Sequence, residues 1–316
     1  MVMKRLRVVV SLITQDNDFQ MEQAAAAEEA ARKLGIDVQI VFADNDSIQQ
    51  SQQILKFIQT DSEACPDGIL MEPVGGPGLP QVARAAAAAG IGWVVMNREL
   101  EYIKQLRQAY EVPCFAVASD HMEIGRIQGR QLGALLPNGG SVLYIQGPTE
   151  TDAGKLRTAG MYETKPESIH LKTMKGNWTE ASAFKAVTSW IRLSTSQQSH
   201  VDLIAAQNDA MAAGARKALQ QFVNEGQGRE RWVSLPFIGV DGVSKTGQSW
   251  VRSGVLCATI IAPPIAGTAL EMLTQALQTG TKPSELTLIQ PHSYPELEVL
   301  TATGAKKAHA AKSAGV

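Results

Sequence analysis

Polar side chains recur where short apolar segments of the chain end. They are carboxylates, carboxamides and guanidinium groups, and they fall at residues 15–19, at Asn97 and Arg98, at Arg157, at residues 207–209 and at Asp241. Fixed planar donors beside paired acceptors suit a ligand dense in hydroxyl groups, because each hydroxyl both donates and accepts hydrogen bonds. Phe19 and Trp178 could cover the C–H face of a sugar ring. These residue types favour reversible binding of a polar small molecule.

Each of these side chains also has a purely structural interpretation. Those that fit helix capping or turns are Asn17, Asn208 and Asp209, and this role suits Asp209 best. Arg98 and Arg157 could instead form surface ion pairs, Trp178 could belong to the core, and Asp241 could merely stabilise its turn. Repetition of polar residues after five of the predicted strands favours a common site more than any one residue does.

Motifs of catalysis are absent from the sequence. None of the five histidines lies three or four residues from another, so no helical metal pair is predicted. The string at residues 149–156 lacks the first glycine and the hydroxyl of a phosphate-binding loop, and Gly75-Gly76-Pro77-Gly78 is not a dinucleotide-binding turn. No GxSxG nucleophile elbow occurs either. We therefore expect a protein that is not an enzyme and uses no metal or cofactor. An enzyme acting on a sugar or sugar derivative is the least favoured alternative, since acid–base pairs can come from distant positions.

Composition places the chain among globular proteins. Its 316 residues suggest two domains, 44% are hydrophobic and 19% are charged. The formal net charge of −2 gives no basic field for nucleic acid or for an acidic membrane. The three cysteines are far apart without a CxxC pair, and each is expected to be a small buried apolar residue.

The amino-terminal segment bears on where the protein resides. A short basic start at residues 1–7 leads at once into Val8-Val9-Val10, which is too short for the apolar part of a signal peptide. No apolar run approaches the roughly 20 residues that span a bilayer. We expect either a cytosolic chain or one whose export signal has been removed.

Strand and helix patterns alternate along the whole chain, and they are the elements that must position the polar side chains. Strands are predicted at residues 8–13, 38–42, 68–71, 93–96, 141–145, 203–205, 237–240 and 258–261. Helices are predicted at residues 19–34, from a cap within 44–47 to about 60, and at 79–89, 122–136, 180–194, 209–225 and 265–278. Residues 301–316 lack an apolar period and are expected to be mostly mobile. The short connections between the predicted strands and helices indicate parallel sheets that are covered on both faces. In such sheets, ligands bind at the carboxyl ends of the strands.

Four strings carry a resemblance to a known family. They are Asp67 to Val74 (DGILMEPV), Ala116 to Asp120 (AVASD), Ala206 to Ala212 (AQNDAMA) and Ile238 to Gly242 (IGVDG). The chain resembles periplasmic sugar-binding proteins of the ribose-binding type, whose domain also forms the effector-binding core of lac-repressor-type regulators. The resemblance covers about residues 5–300.

The resemblance implies an α/β fold of two doubly wound parallel-sheet lobes, joined by a three-crossover hinge with a ligand cleft between them. The amino-terminal lobe would hold residues 5–118 and 264–290, and the carboxy-terminal lobe residues 119–263 and 291–305. The crossovers would fall near Ser119, Ala262 and Pro291. Closure about the hinge would then be the working motion.

The family's ligand contacts fall on eight positions of this chain. They are Asn17, Phe19, Asn97, Arg98, Arg157, Trp178, Asn208 and Asp241. The chain differs from many members at three points: Asn97 stands where an Asp is usual, Gln20 where a second aromatic is common, and Ala262 where a Gln is usual. These differences leave a modified or larger polyol-like ligand open beside a simple pentose or hexose.

The expected function is that of a solute-binding protein, which captures a sugar-like or polyol ligand by hinge closure and delivers it to an ABC transporter. The alternative is a cytosolic ligand-sensing protein, or the effector domain of a regulator, that reports to a separate partner. Few residues precede the first predicted strand, so no helix-turn-helix and no nucleic-acid binding are expected. The protein is expected to be a monomer, periplasmic if an export signal was removed and otherwise cytoplasmic.

Overall fold

The computed structural model describes residues 5–60, 64–226, 230–232, 234–302 and 304. The predicted mobile tail at residues 301–316 lies outside this part of the chain except for positions 301, 302 and 304. The chain divides into two compact units. Unit 1 takes the described residues within Met1–Ser119 and Pro263–Ile289, and unit 2 those within Asp120–Ala262 and Gln290–Val316. The backbone therefore passes from one unit to the other three times.

Strands and helices alternate along the chain as the sequence predicts, with further strands at residues 114–119, 169–175, 286–289 and 292–294 and further helices at residues 102–109, 152–164 and 247–252. The strands are β1 (Arg7–Leu12), β2 (Asp37–Phe42), β3 (Gly68–Met71), β4 (Gly92–Met96), β5 (Cys114–Ser119), β6 (Gly140–Gln146), β7 (Ile169–Lys175), β8 (Leu203–Ala206), β9 (Phe237–Ile238), β10 (Thr259–Ile261), β11 (Leu286–Ile289) and β12 (His292–Tyr294). The helices are α1 (Asp18–Leu34), α2 (Ser47–Ile58), α3 (Pro80–Ala88), α4 (Tyr102–Ala109), α5 (His121–Leu135), α6 (Asp152–Thr164), α7 (Glu180–Ile191), α8 (Ser194–Gln197), α9 (Asp209–Asn224), α10 (Gly247–Arg252) and α11 (Ala266–Thr279). The predicted α/β class is confirmed.

Unit 1 is built around a six-stranded sheet with the order β11-β5-β4-β3-β1-β2, and every pairing in it is parallel. Side chains alternate across the sheet, because successive Cβ atoms of a strand point to opposite faces. Val8 and Val10 of β1 belong to the core beneath α1 and α11, whereas Val9 belongs to the core beneath α2, α3 and α4. Both faces are therefore covered, as a fully parallel sheet requires.

Unit 2 is built around a four-stranded parallel sheet with the order β7-β6-β8-β9. Isolated parallel bridges join Ile238 to Ala258 and Asp241 to Ile261, and β10 then pairs antiparallel with β12. The described strands of this unit are thus parallel over the main sheet and antiparallel at β10 and β12. Strand β12 is the segment that returns to unit 2 after the last passage of the backbone.

Three helix ends in unit 1 form at residues whose types favour them. Asn17 caps α1, Asp46 caps α2, and Gly35 ends α1 in the left-handed conformation with φ of 67°. Asn, Asp and Gly favour these positions because short polar side chains accept from free N–H groups and glycine adopts positive φ without strain. The capping interpretation of Asn17 and the predicted cap of α2 within residues 44–47 are confirmed.

Three features depart from the expectations or bear on them. Helix α7 ends at Ile191 rather than at 194, and residues 194–197 form the separate short helix α8. Of the three cysteines, which are free thiols, Cys114 is buried, but Cys65 and Cys257 are only half-buried, so the expectation of burial is wrong for those two. Burial raises the pKa of the Cys114 thiol to about 11. Among the described residues, no helix combines the length and hydropathy that crossing a bilayer requires.

Candidate functional site

Asn17 and Phe19 stand at the start of α1, directly after β1. Asn17 accepts hydrogen bonds at Oδ1 from the backbone N–H of Phe19 at 2.9 Å and of Gln20 at 3.3 Å, so its oxygen serves as the helix cap. The capping interpretation of Asn17 therefore holds for the oxygen. Phe19 is half-buried in the first turn of the helix, in a position to offer part of its ring.

Asn97 and Arg98 follow β4 at the corresponding edge of the same sheet. Asn97 adopts a left-handed conformation with φ of 62°, which asparagine tolerates better than most residues. Its Nδ2 donates to Oε1 of Glu72 at 3.0 Å. Arg98 donates from Nη1 to the backbone oxygen of Gly76 at 3.1 Å, which holds the guanidinium against the glycine-rich turn after β3. Arg98 is therefore anchored to unit 1 through the backbone of that turn.

Glu72 and Gln20 form a buried polar pair that the sequence analysis did not place in the site. Glu72 follows β3 and is 4% exposed, and its Oε2 accepts from Nε2 of Gln20 at 2.9 Å. Gln20 thereby ties the first turn of α1 to the ends of β1, through Ile13, and of β3, through Glu72. A charged residue directly after an apolar strand was the signal in the sequence that could have identified Glu72.

Arg157, Trp178 and Asp241 come together in unit 2. Arg157 lies in α6 and is 5% exposed, which excludes the interpretation as a surface ion pair. Its guanidinium lies 5.5 Å from the centre of the Trp178 ring, and its Nη1 lies 3.5 Å from Oδ1 of Asp241. The Nε atom of Arg157 is buried and has no hydrogen-bond partner among the described residues. A cation, an aromatic face and a carboxylate are thus assembled at the carboxyl edge of the sheet.

Asn208 and Asp209 hold the start of α9, after β8. Asn208 is the helix cap: its Oδ1 accepts from the N–H of Met211 at 2.9 Å, and its Nδ2 donates to the backbone oxygen of Trp178 at 2.8 Å. Asp209 accepts from the N–H of Gly242 at 2.8 Å and from the hydroxyl of Thr259 at 2.7 Å. Asn208 therefore positions Trp178, and Asp209 fixes the turn that carries Asp241, as its predicted structural role requires.

Gln207 is a third buried polar residue that is not among the eight predicted contacts. It is completely buried, and its backbone oxygen accepts a hydrogen bond from Nη1 of Arg157. Its side-chain Nε2 donates to the hydroxyl of Tyr144 at 3.0 Å and to the hydroxyl of Thr158 at 2.9 Å. Gln207 thereby ties β6, β8 and α6 together and holds Arg157 in place.

Two glycines allow the close approaches on which this arrangement depends. A Cβ added to Gly160 would lie 2.0 Å from the backbone oxygen of Met122, so α6 lies against α5 at a distance that only glycine permits. A Cβ added to Gly147 would lie 2.2 Å from Cη2 of Trp178, so the indole ring lies directly on this glycine. Gly160 thus determines how closely α6, which carries Arg157, packs on α5, and Gly147 leaves room for the ring of Trp178.

Burial shifts the proton affinities of the charged groups in unit 2. It raises the pKa of Asp241 to about 6, although the neighbouring Arg157 acts in the opposite direction. The pKa of Asp209 is raised well above its ordinary value, first by burial and then by the negative charge of Asp241. Burial also lowers the pKa of the Arg157 guanidinium, opposed by Asp241. The two buried carboxyl groups therefore share one neighbouring cation, which cannot fully balance both.

The structure places the eight predicted residues in two groups. Unit 1 carries Asn17, Phe19, Asn97 and Arg98, and unit 2 carries Arg157, Trp178, Asn208 and Asp241. In each unit these residues follow the carboxyl ends of strands or lie in the first turns of the helices behind them. Over the described ranges, His, Cys, Asp and Glu side chains form no group of three or more that could hold a metal ion. The eight residues can contact a ligand through hydrogen bonds, charged groups and aromatic rings.

Comparison with known proteins gives a consistent result. Residues 8–282 match the model of the periplasmic binding protein domain family. A protein of Rhizobium meliloti that is named for rhizopine binding is 30% identical over 218 residues, which are 66% of this chain and 66% of that relative. The D-apiose import binding protein of Paraburkholderia graminis is 23% identical over 86% of this chain and 82% of its own length.

The fold also matches solved structures. An ABC transporter solute-binding protein of Bacillus halodurans, solved with bound myo-inositol, superposes with a TM-score of 0.74. The match covers 96% of this chain and 98% of the other at 21% identity. At that level of identity the likeness concerns the fold.

Proposed function

The chain belongs to the periplasmic binding protein domain family, and from that premise we propose that it captures a sugar or polyol and delivers it to an ABC transporter. One observation carries the choice of ligand class. Arg157, Asp241 and Trp178 present a buried guanidinium, a carboxylate and an aromatic ring together. Such a set binds hydroxyl groups through paired hydrogen bonds and covers the apolar face of a ring.

The proposed binding mode uses residues of both units. Unit 2 supplies Arg157, Trp178 and Asp241, with Asn208 behind them, and unit 1 supplies Asn97 and Arg98 together with Asn17 and Phe19 at the start of α1. We propose that the two units are the two lobes expected for the family, and that the ligand stabilises the form in which both sets of residues contact it. Affinity is then the contact free energy less the free energy of that conformational change.

Transport is favoured over a separate sensing role by the relatives. The Paraburkholderia relative is named as an import binding protein, and the Bacillus structure is that of an ABC transporter solute-binding protein. The relatives are binding proteins, and we propose the same for this chain, with no catalytic step. A place of action in the periplasm follows from the same proposal, since solute-binding proteins of this family meet their permease there.

A thermal-shift screen tests the proposal. The purified protein is heated with each member of a panel of sugars, polyols, nucleosides and amino acids. A ligand present at about 100 times its Kd stabilises the folded state by about 2.7 kcal/mol, which raises the melting temperature measurably. We expect shifts from sugars or polyols alone. Shifts confined to nucleosides or amino acids would overturn the ligand class and leave the fold untouched.

A further inference from the structure

Three side chains in unit 1 form a chain of hydrogen bonds whose direction is fixed at one end. The backbone N–H of Ile13 donates to Oε1 of Gln20 at 2.9 Å. This bond orients the carboxamide of Gln20, because a backbone N–H can only donate. The other end of that carboxamide, Nε2, must therefore face away from Ile13, and it donates to Oε2 of Glu72 at 2.9 Å.

Glu72 passes this orientation on to Asn97. Its second oxygen, Oε1, accepts from Nδ2 of Asn97 at 3.0 Å. An ionised carboxylate only accepts hydrogen bonds, so the amide of Asn97 must turn its NH2 group towards Glu72. The carbonyl oxygen Oδ1 of Asn97 is then left on the other side, where it is buried without a hydrogen-bond partner among the described residues. A buried acceptor in that state costs free energy unless another group donates to it.

We propose that Glu72 is a positioning residue, which orients the amide of Asn97 so that its carbonyl oxygen accepts a hydrogen bond from a hydroxyl of the ligand. This inference rests on the proposed function, because it assigns a specificity to one side of that site. It also explains how the chain works with Asn97 where many relatives carry an Asp. The carboxylate belongs to Glu72, which lies behind Asn97, and the amide of Asn97 presents a neutral acceptor to the ligand.

Arg98 restricts what the ligand group can be. A guanidinium has five N–H donors and no acceptor, so a ligand atom that contacts both Arg98 and Asn97 must accept from the first and donate to the second. A hydroxyl does both. A carbonyl or ether oxygen accepts but cannot donate, and it would leave Oδ1 of Asn97 unpaired. The selected group is therefore a hydroxyl, and sugars or polyols that lack it at this position should bind more weakly.

The orientation can be tested without any ligand. Urea unfolding at pH 7 compares the wild type with Asn97→Asp, Glu72→Gln and the double variant Glu72→Gln/Asn97→Asp. Asn97→Asp alone places two carboxylates about one hydrogen bond apart. Because like charges repel, we expect the equilibrium constant for folding to fall at least tenfold. In the Glu72→Gln background the same change should cost little or nothing, since the carboxamide introduced there can donate to the new carboxylate. Asn138→Asp, at an exposed turn position, is the matched control and should leave stability unchanged.

Binding then tests the polarity of the group that Asn97 presents. In Glu72→Gln, the NH2 group of Gln20 still donates, so it holds the oxygen of the introduced carboxamide towards itself. The NH2 group of that carboxamide then faces Asn97 and turns its amide round. Glu72→Gln should thus present a donor where the wild type presents an acceptor, and the double variant should present an acceptor again. The probes are D-apiose, D-allose, xylitol and myo-inositol, measured by calorimetry on all four proteins.

We expect the probe that binds the wild type to bind Glu72→Gln at least tenfold more weakly, and the double variant to recover most of that loss. Equal affinity of wild type and Glu72→Gln would overturn the proposal, as would a double variant no better than Glu72→Gln. Equal stability costs of Asn97→Asp in both backgrounds would overturn it too. If neither these probes nor any sugar or polyol of the thermal-shift panel binds the wild type, the proposed ligand class fails, whereas the unfolding cycle still decides whether Glu72 orients Asn97.

Discussion

The guanidinium of Arg157 lies 3.5 Å from the carboxylate of Asp241, measured from Nη1 to Oδ1, and the two side chains are only 6% and 15% exposed. Removing two charges from water costs several kcal/mol for each ion, and their attraction offsets that cost only in part. The pair is therefore weak support for stability. Under the proposed function the pair is a prepared site, in which the hydroxyl groups of the ligand complete the hydrogen bonds that the buried charges lack.

The unfolding free energy should depend on pH through Asp241. Its folded pKa of about 6 exceeds the ordinary Asp value of about 4, so between these values the folded state binds a proton that the unfolded state does not. The resulting stability is present below about pH 4 and is lost as pH rises through about 6. Relative to Asp241→Asn, we expect the wild type to lose up to about 3 kcal/mol of unfolding free energy over this pH range. Urea unfolding at a series of pH values measures this loss.

Asp209 shifts in the same direction, so the Asp241→Asn protein should keep a smaller decline of stability with rising pH. An unfolding free energy of the wild type that rises from about pH 4 to about pH 6 relative to the variant would contradict the assignment. The exposed pair Lys33 and Glu29 provides a control, since Glu29→Gln should alter this pH dependence little.

Arg157→Ala and Arg98→Ala should each weaken sugar or polyol binding at least tenfold, which is about 1.4 kcal/mol or more. Each change removes donors that the proposed ligand uses, and Arg157→Ala also leaves Asp241 without its buried cation. Isothermal titration calorimetry measures the effect. Arg84→Ala is the matched control, because Arg84 is exposed on α3. Unchanged affinity in both site variants would remove these residues from the binding site.

Gly147→Ala should push the indole ring of Trp178 from its place. The new methyl group would stand 2.2 Å from Cη2, and overpacking of this kind costs about 1–3 kcal/mol. Urea unfolding measures the cost, and tryptophan fluorescence reports the displaced ring. In a Trp178→Ala background the clash is gone, so the same substitution should cost far less. Equal costs in the two backgrounds would mean that the ring does not rest on Gly147.

Gly160→Ala should separate α6 from α5. Its added carbon would lie 2.0 Å from the backbone oxygen of Met122, and backbone atoms cannot turn aside as a flexible side chain can. We expect a loss of about 3 kcal/mol in unfolding free energy together with weaker binding, because α6 carries Arg157. Ala159→Ser, on the exposed side of the same helix, should stay within about 0.5 kcal/mol of the wild type.

Most of the fold is predictable from the sequence because its helix caps and buried strands carry strong local signals. Asn17 and Asp46 accept hydrogen bonds from backbone N–H groups at the start of a helix, and Gly35 ends a helix in the left-handed conformation. Helix α4 escapes prediction, since it has eight residues and Glu101 before it makes no capping bond. Strand β7 escapes it too, because it is an edge strand with exposed Lys172 and Lys175, which weaken its apolar alternation.

The candidate site was predictable where residues follow strands and not where they act through other side chains. Asp241 and Asn97 could be named from their positions after apolar runs. The roles of Glu72, Gln20 and Gln207 depend on bonds between residues far apart in the sequence, such as the one from Gln20 to Glu72. Asn208 illustrates the opposite case: both ends of its amide are occupied by backbone partners, which residue type alone does not reveal.

The late position of α11 and β11 in the chain has a consequence for biosynthesis. Strand β11 supplies the only described partner of β5 on its outer side, and Gln23 of α1 accepts from the N–H groups of Ile265 and Ala266 at 2.9 Å each. While the ribosome has not yet passed Ala262, the apolar face that α11 covers is bare and the β5 edge is unpaired. Unit 1, whose first part emerges first, thus cannot finish folding until almost all strands and helices of the protein have been made. Throughout that interval the nascent protein exposes apolar surface and an unpaired strand edge, which chaperones can bind.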